Sequence, residues 1–177
     1  MNVIAIILLV IAGIVTVTLI VALFMKKEHY IKREITIDAP AQKVFDFLKL
    51  IKNQDQYNKW ATADKKNRKE EFKGTDGTVG FIYSWSGNKE AGQGEKEIIN
   101  IIEGKRIETE IRFIKPMKVS AYMIFETESI SDNQTKVNLI NTGKLKYPMN
   151  LMIPMAERNF PKDMDQSLRT LKGILEG

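Results

Sequence analysis

The sequence predicts an α+β chain: one membrane-spanning helix, then an antiparallel sheet of about seven strands packed on a long C-terminal helix. Three observations predict it. An unbroken apolar run opens the chain, the middle alternates apolar and polar residues in short runs divided by turn signals, and the last stretch carries apolar residues at helical spacing.

Val3 to Met25 is the opening run. It holds 23 residues with no charge, Pro, Asn or Gln, interrupted only by Gly13, Thr16 and Thr18. At ~1.5 Å per residue it is about 35 Å long as a helix, enough to cross a hydrocarbon core of about 30 Å with some tilt. A core helix would show a polar face; this one is apolar all round. A cleaved signal peptide is disfavoured, because no basic segment precedes the run, the run is too long, and no small-x-small site follows it. Lys26, Lys27, Lys32 and Arg33 follow at once, and the positive-inside rule then puts the soluble part in the cytoplasm. The same charges would be attracted to anionic headgroups. Richness in Lys, Ile and Asn suggests a bacterial inner membrane.

Two units are expected: residues 1–29, a membrane anchor with a short basic tether, and residues 30–177, one domain. From Lys26 to Tyr30 the tether can reach at most ~18 Å, so the domain sits close to the bilayer. His29, the only histidine, is read as a solvated linker residue.

Within the domain, Tyr30 to Ile37 alternates as a half-buried strand. Asp38-Ala39-Pro40 opens a helix, with Pro40 in its first turn and Val44, Phe47, Leu48 and Ile51 on one face. Asn53 to Trp60 reads as a short helix or irregular turn, with Tyr57 and Trp60 facing the same way. The charged Lys65 to Lys73 stretch mixes signs and reads as a solvated strand and its approach, not a nucleic-acid surface.

From Gly74 the pattern is a meander. Strands are expected at Thr78 to Ser86, Gln93 to Ile102, Arg106 to Ile114, Lys118 to Ser129 and Thr135 to Leu145, with turns at Gly74 to Gly77, Gly87-Asn88, Glu103 to Lys105, Lys115-Pro116 and Ser131 to Asn133. Tyr147 to Met155 reads as a loop or a short broken helix. A helix then starts at Asn159 or Phe160 with Pro161 in its first turn; Phe160, Met164, Leu168, Leu171 and Leu175 form its stripe. The only large apolar surface left to cover that stripe is the inner face of the sheet.

This order of elements is a helix-grip order, and the residues resemble the START-like SRPBCC superfamily, particularly its polyketide cyclase/dehydrase and lipid-transport branch. The resemblance rests on Ile37-Asp38-Ala39-Pro40 with Val44-Phe45, on Tyr57 and Trp60, and on Trp85-Ser86-Gly87-Asn88 with Gly92 and Gly94. Arg112-Phe113 with Lys115-Pro116, and Asp163, Leu168, Leu171-Lys172 and Glu176, complete it. It covers Tyr30 to Gly177. Tyr57 and Leu139 stand where Trp is frequent in the family. The resemblance implies a curved sheet wrapped around the C-terminal helix, with a mostly apolar cavity for a lipophilic ligand between them. It implies no particular reaction.

With no cysteine anywhere and no histidine in residues 30–177, thiolate and imidazole chemistry have no residues to use, and neither metal nor cofactor is expected. Glu95 with Glu97, Glu108 with Glu110 and Glu126 with Glu128 read as outward, solvated faces paired with neighbours such as Lys96 and Arg112. No catalytic residue is named. Candidate ligand-binding residues are Trp60 from the short helix or turn, Phe81, Tyr83, Trp85, Ile111, Phe113, Met123, Phe125 and Leu139 from the sheet, and Met155, Met164 and Leu168 from the last helix and its approach. Asn141 joins them as a polar residue on an apolar face, there to orient a ligand group or to satisfy a neighbouring backbone group. The expected partner is a lipid or other lipophilic small molecule. The alternatives are a cyclase/dehydratase-like enzyme and a structural or regulatory partner-binding protein.

Overall fold

The computed structural model describes residues 2–62, 68–87 and 92–177. Helix α1 spans Val3–Phe24 and is long and apolar enough to cross a membrane; of its side chains only Ala22 is buried. Asn2 caps it, its side chain accepting from the Ile4 amide.

Strand β1 (Glu28–Ile37) follows after three residues, so the tether is shorter than expected and His29 lies inside the sheet. Helix α2 (Ala41–Lys49) then buries Val44, Phe45 and Leu48, with Pro40 one position before its first turn. A 3-10 turn (Ile51–Asn53) and two short helices, α3 (Gln54–Tyr57) and α4 (Lys59–Thr62), complete the crossing. Between the short helices Asn58 is extended, with ψ 119°. That break sends Tyr57 into the core, edge-on to Phe125, and Trp60 toward Phe160, so the two do not share a face.

The meander is β2 (Lys69–Lys73), β3 (Ile82–Ser86), β4 (Gln93–Ile102), β5 (Arg106–Lys115), β6 (Val119–Ser131) and β7 (Gln134–Lys144). All seven strands form one curved antiparallel sheet in the order β1-β7-β6-β5-β4-β3-β2. β3 begins four residues later than its alternation suggests. Gly77 and Gly80 take φ of 79° and 86°, conformations that fold the chain into a turn and leave Val79 exposed. Of the expected turns, Asn88 lies outside the described residues, as do Lys65 and Lys66 of the charged stretch.

A 3-10 turn (Met149–Met152) leads into α5, which runs from Ile153 to Glu176. The helix starts six residues before Asn159, and Pro161 lies inside it. Pro161 costs one backbone bond and strains the preceding turn, but Ile153 and Ala156 are buried and Phe160 packs on Trp60, so tertiary contacts hold the first turns helical. Pro154, near the start, is where proline is tolerated.

The two ends of the sheet differ. At the far end α5 is fastened by its last residues: the Glu176 carboxylate accepts from the Asp38 amide, and Lys43 donates to the Leu175 carbonyl. The far half of the inner face is filled. Ile37, Val44, Phe45, Leu48, Ile107, Phe125, Val137, Leu139, Met164, Leu168 and Leu171 form one continuous core there. At the other end lie the start of β1, the β5–β6 turn, the end of β7 and the beginning of α5, all beside the C-terminus of α1. The completely buried Asn150 donates to the Ala22 and Met25 carbonyls, which no helical amide reaches, and Lys26 pairs with Glu157 at 2.6 Å.

Candidate functional site

In the α1 half of the sheet the inner face is not filled, and a cavity of about 400 Å³ remains between sheet, α3, α4 and α5. The register shows why it lies there. Ile111 is opposite Ala121, and Met123 is opposite Asn141, each two pairs from the α1 end of its ladder. α2 and the C-terminal part of α5 fill the far half, whereas only Phe160 of α5 reaches this one.

Two aromatic walls face each other across it. Phe72, Tyr83, Trp85 and Phe113, from β2, β3 and β5, stand in a row with successive ring centroids 5.4, 5.8 and 5.8 Å apart. Trp60 and Phe160 form the other wall, edge to face at 5.6 Å. Gly94 makes the first wall possible: a Cβ there would lie 2.6 Å from the Trp85 ring and 2.8 Å from the Arg112 carbonyl. Phe113 and Trp60 are partly exposed, and they mark the open rim.

The wall toward β2 and α3 is polar. Arg68 donates through Nε to Glu70 at 2.9 Å, through Nη1 to the Ala61 carbonyl at 2.7 Å, and through Nη2 to Asp55 at 3.2 Å. Tyr83 donates its hydroxyl to Glu70 at 3.0 Å. Burial pulls the Arg68 guanidinium down, but the Glu70 hydrogen bond and the surrounding anions more than offset it, and Arg68 stays firmly charged. Burial pushes the Tyr83 hydroxyl up, so it remains a donor.

Lys96 is on β4, pointing inward between Tyr83 and Ile111 in the register and buried to 8% exposure. Its ammonium donates to Gln54 Oε1. Burial lowers its pKa to about 8; the charge of Asp55 acts upward and that of Arg68 downward. On the opposite side of the cavity Asn141 Oδ1 meets His29 Nε2 at 2.9 Å, so that nitrogen carries the proton, and His29 Nδ1 is buried without a partner. His29 is therefore a buried sheet residue and not a solvated linker. Its reach into the interior is set by Gly143, where a Cβ would sit 2.9 Å from the imidazole.

Of the residues expected from sequence to bind a ligand, Trp60, Tyr83, Trp85, Ile111, Phe113, Met123 and Asn141 line the cavity. The others lie elsewhere. Phe125, Leu139, Met164 and Leu168 belong to the packed far half, and Phe81 joins Ile51 and Ile98 in a small second core under β3 and β4. Met155 is exposed on the outer side of α5. Asn141 meets the His29 side chain.

The residues sequence reasoning missed include the polar Lys52, Gln54, Asp55, Asn58, Arg68 and Lys96, with Ile51, Ala61, Phe72, Ala121 and Phe160. For Lys96 a signal existed. Alternation places it with Gly94 and Ile98, opposite Glu95 and Glu97, on the inner face. Glu95, Glu97 and Glu110 are outward and share Arg112, while Glu108 and Glu126 share Arg106. Among the described residues no group of His, Asp or Glu is arranged to hold a metal ion.

No family model matches the chain, and none of the curated proteins matches it. Solved structures do. The Zhui aromatase/cyclase from a Streptomyces species superposes with a TM-score of 0.61 at 11% identity, covering 84% of this chain and 94% of its own. Ara h 8.0201 gives 0.60 at 16% identity, over 84% and 97%. The Aha1 dimer from Colwellia psychrerythraea gives 0.53 at 18% identity, over 84% and 96%. At such identities the likeness is one of fold: a curved seven-stranded sheet gripping a long C-terminal helix.

Proposed function

We propose that this chain is a membrane-tethered helix-grip domain that binds or transfers a lipophilic small molecule in its cavity, without covalent chemistry. The observation that carries the reading is the unfilled volume of about 400 Å³ between two aromatic walls, at the end of the sheet next to α1. That volume is within the usual range of small-molecule sites. Asn150 and the Lys26–Glu157 pair support a fixed placement of the rim beside the span. Lys27, Lys115, Lys118 and Lys146 at the same end are exposed and make no ion pair among the described residues, which suits a cytoplasmic leaflet carrying anionic lipid.

The test uses the full chain in mild detergent: native mass spectrometry followed by lipid extraction. A co-purifying hydrophobe is expected, and Ala121→Trp, which fills the cavity from β6, is expected to abolish it. Trp60 and Trp85 are the only tryptophans and both line the cavity, so the intrinsic fluorescence should change with occupancy. An empty wild-type chain whose fluorescence responds to no added hydrophobe would sink the reading. A second reading, a cyclase-type enzyme, has one specific support: a cavity lysine whose protonation equilibrium, with a pKa of about 8, is close enough to neutrality for proton transfer.

A further inference from the structure

The cavity's polar wall says which end of a ligand enters first and what charge it carries. Among the described residues Lys52, Arg68 and Lys96 line the cavity against one lining carboxylate, Asp55. Arg68 is largely committed, with four of its five N–H donors spent on Glu70, the Ala61 carbonyl and Asp55. Lys52 lies over the Phe72 ring, 4.6 Å from its centroid, as a cation–π pair.

Lys96 is different. Its ammonium has three donors and, among the described residues, one hydrogen-bonded acceptor, the neutral Gln54. No carboxylate among the described residues lies within ion-pair reach of it, while Arg68 engages both Asp55 and Glu70. A buried charge that feels the Asp55 carboxylate only at a distance, and shares it with Arg68, is costly, and a molecule that brings a closer anion is held by that cost. Lys96 also lies inward of the rim, beside Tyr83, so a group reaching it must pass between the aromatic walls.

We infer that the ligand is a single-chain amphiphile with an anionic head, bound head inward, its carboxylate or phosphate on the Lys96 ammonium and its tail between Trp85, Phe113 and Phe160. This rests on the ligand-binding reading above and names the ligand's class. A volume of about 400 Å³ holds one chain and not a diacyl lipid. The head loses water but gains a charge-assisted hydrogen bond, which the same chain ending in a hydroxyl gains only weakly.

Three probes test it on the full chain in phosphatidylcholine nanodiscs: dodecanoic acid, dodecyl phosphate and dodecanol, each with a diazirine in the tail, at equal mole fraction. Crosslinks are mapped by peptide mass spectrometry. The acid, the phosphate or both are expected to label the cavity walls at least about tenfold more than the alcohol, in line with the worth of a charged hydrogen bond. Which of the two leads identifies the head. In Lys96→Met the preference should vanish while alcohol labelling persists, and the wild-type comparison stands whatever the variant does. Equal labelling by acid, phosphate and alcohol would overturn the anionic head and leave the cavity reading intact. Cavity labelling by none of the three would overturn both.

Discussion

At the scale of the residue, Lys96 carries a cost that folding imposes. Its ordinary pKa of 10.5 falls to about 8 on burial, so the folded state binds the proton less well than the unfolded chain. A base depressed in this way destabilises the fold fully below pH 8, and the penalty fades as pH rises toward 10.5, where the unfolded lysine also loses its proton. The shift corresponds to roughly 3 kcal/mol, against which Lys96→Met leaves the Gln54 acceptor unpaired at a cost of about 1 kcal/mol. Denaturation of the ligand-free chain should therefore show Lys96→Met more stable than wild type by about 2 kcal/mol at pH 7, the gap closing by pH 10. A variant less stable at pH 7 would mean that the lysine is paired in the folded chain. Asn141 and His29 make the contrasting pair, in which a side-chain amide meets an imidazole across β7 and β1.

At the scale of the element, the junction between α1 and the domain is tied by the Asn150 side chain as well as by the Lys26–Glu157 pair. Asn150 replaces the water that would otherwise satisfy the Ala22 and Met25 carbonyls, and it is fully buried in doing so. Asn150→Ala removes both bonds and should cost about 1–2 kcal/mol locally without unfolding the sheet. Trypsin should then cut after Lys26 or Lys27 several-fold faster than in the wild type, while far-end peptides remain protected. An unchanged rate would show that the Lys26–Glu157 pair and the β1 register hold the joint without it. α5 makes a related point: its first turns are helical because Ile153 and Ala156 are buried and Phe160 meets Trp60, although Pro161 lies within the helix.

At the scale of the whole molecule, the fold divides into a packed end and a hollow end, and the hollow end is the one joined to α1. There the exposed Lys115, Lys118 and Lys146 come from turns far apart in sequence, with Ile114 and Tyr147 exposed among them. If the membrane-tethered reading holds, each lysine contributes about 1 kcal/mol of attraction to an anionic surface. A polarity-sensitive fluorophore on Met117→Cys, the chain's single cysteine, should shift to the blue in anionic nanodiscs relative to zwitterionic ones. Exchanging the three lysines for Gln should remove the shift. No difference between the two lipids would detach this end of the domain from the membrane surface.

Much of this architecture was legible in the residues themselves. Twenty-three uncharged residues and a period of two repeated through the middle of the chain are local patterns, and the apolar stripe of Met164, Leu168, Leu171 and Leu175 is another. Local patterns determine the apolar helix, the strand count and the face that α5 buries, because backbone hydrogen bonding admits few alternatives for each. Which inner-face residues are core and which bound a cavity was decided only in three dimensions. Phe125 and Met123 read alike along β6, yet α2 and the end of α5 fill the space over one, while the other borders the hollow. The inward turn of Lys96, the burial of His29 and the commitment of Arg68 to Asp55 and Glu70 likewise depend on partners distant in sequence. A side chain's period says which face it takes; only the packing of the opposite layer says whether anything is there to meet it.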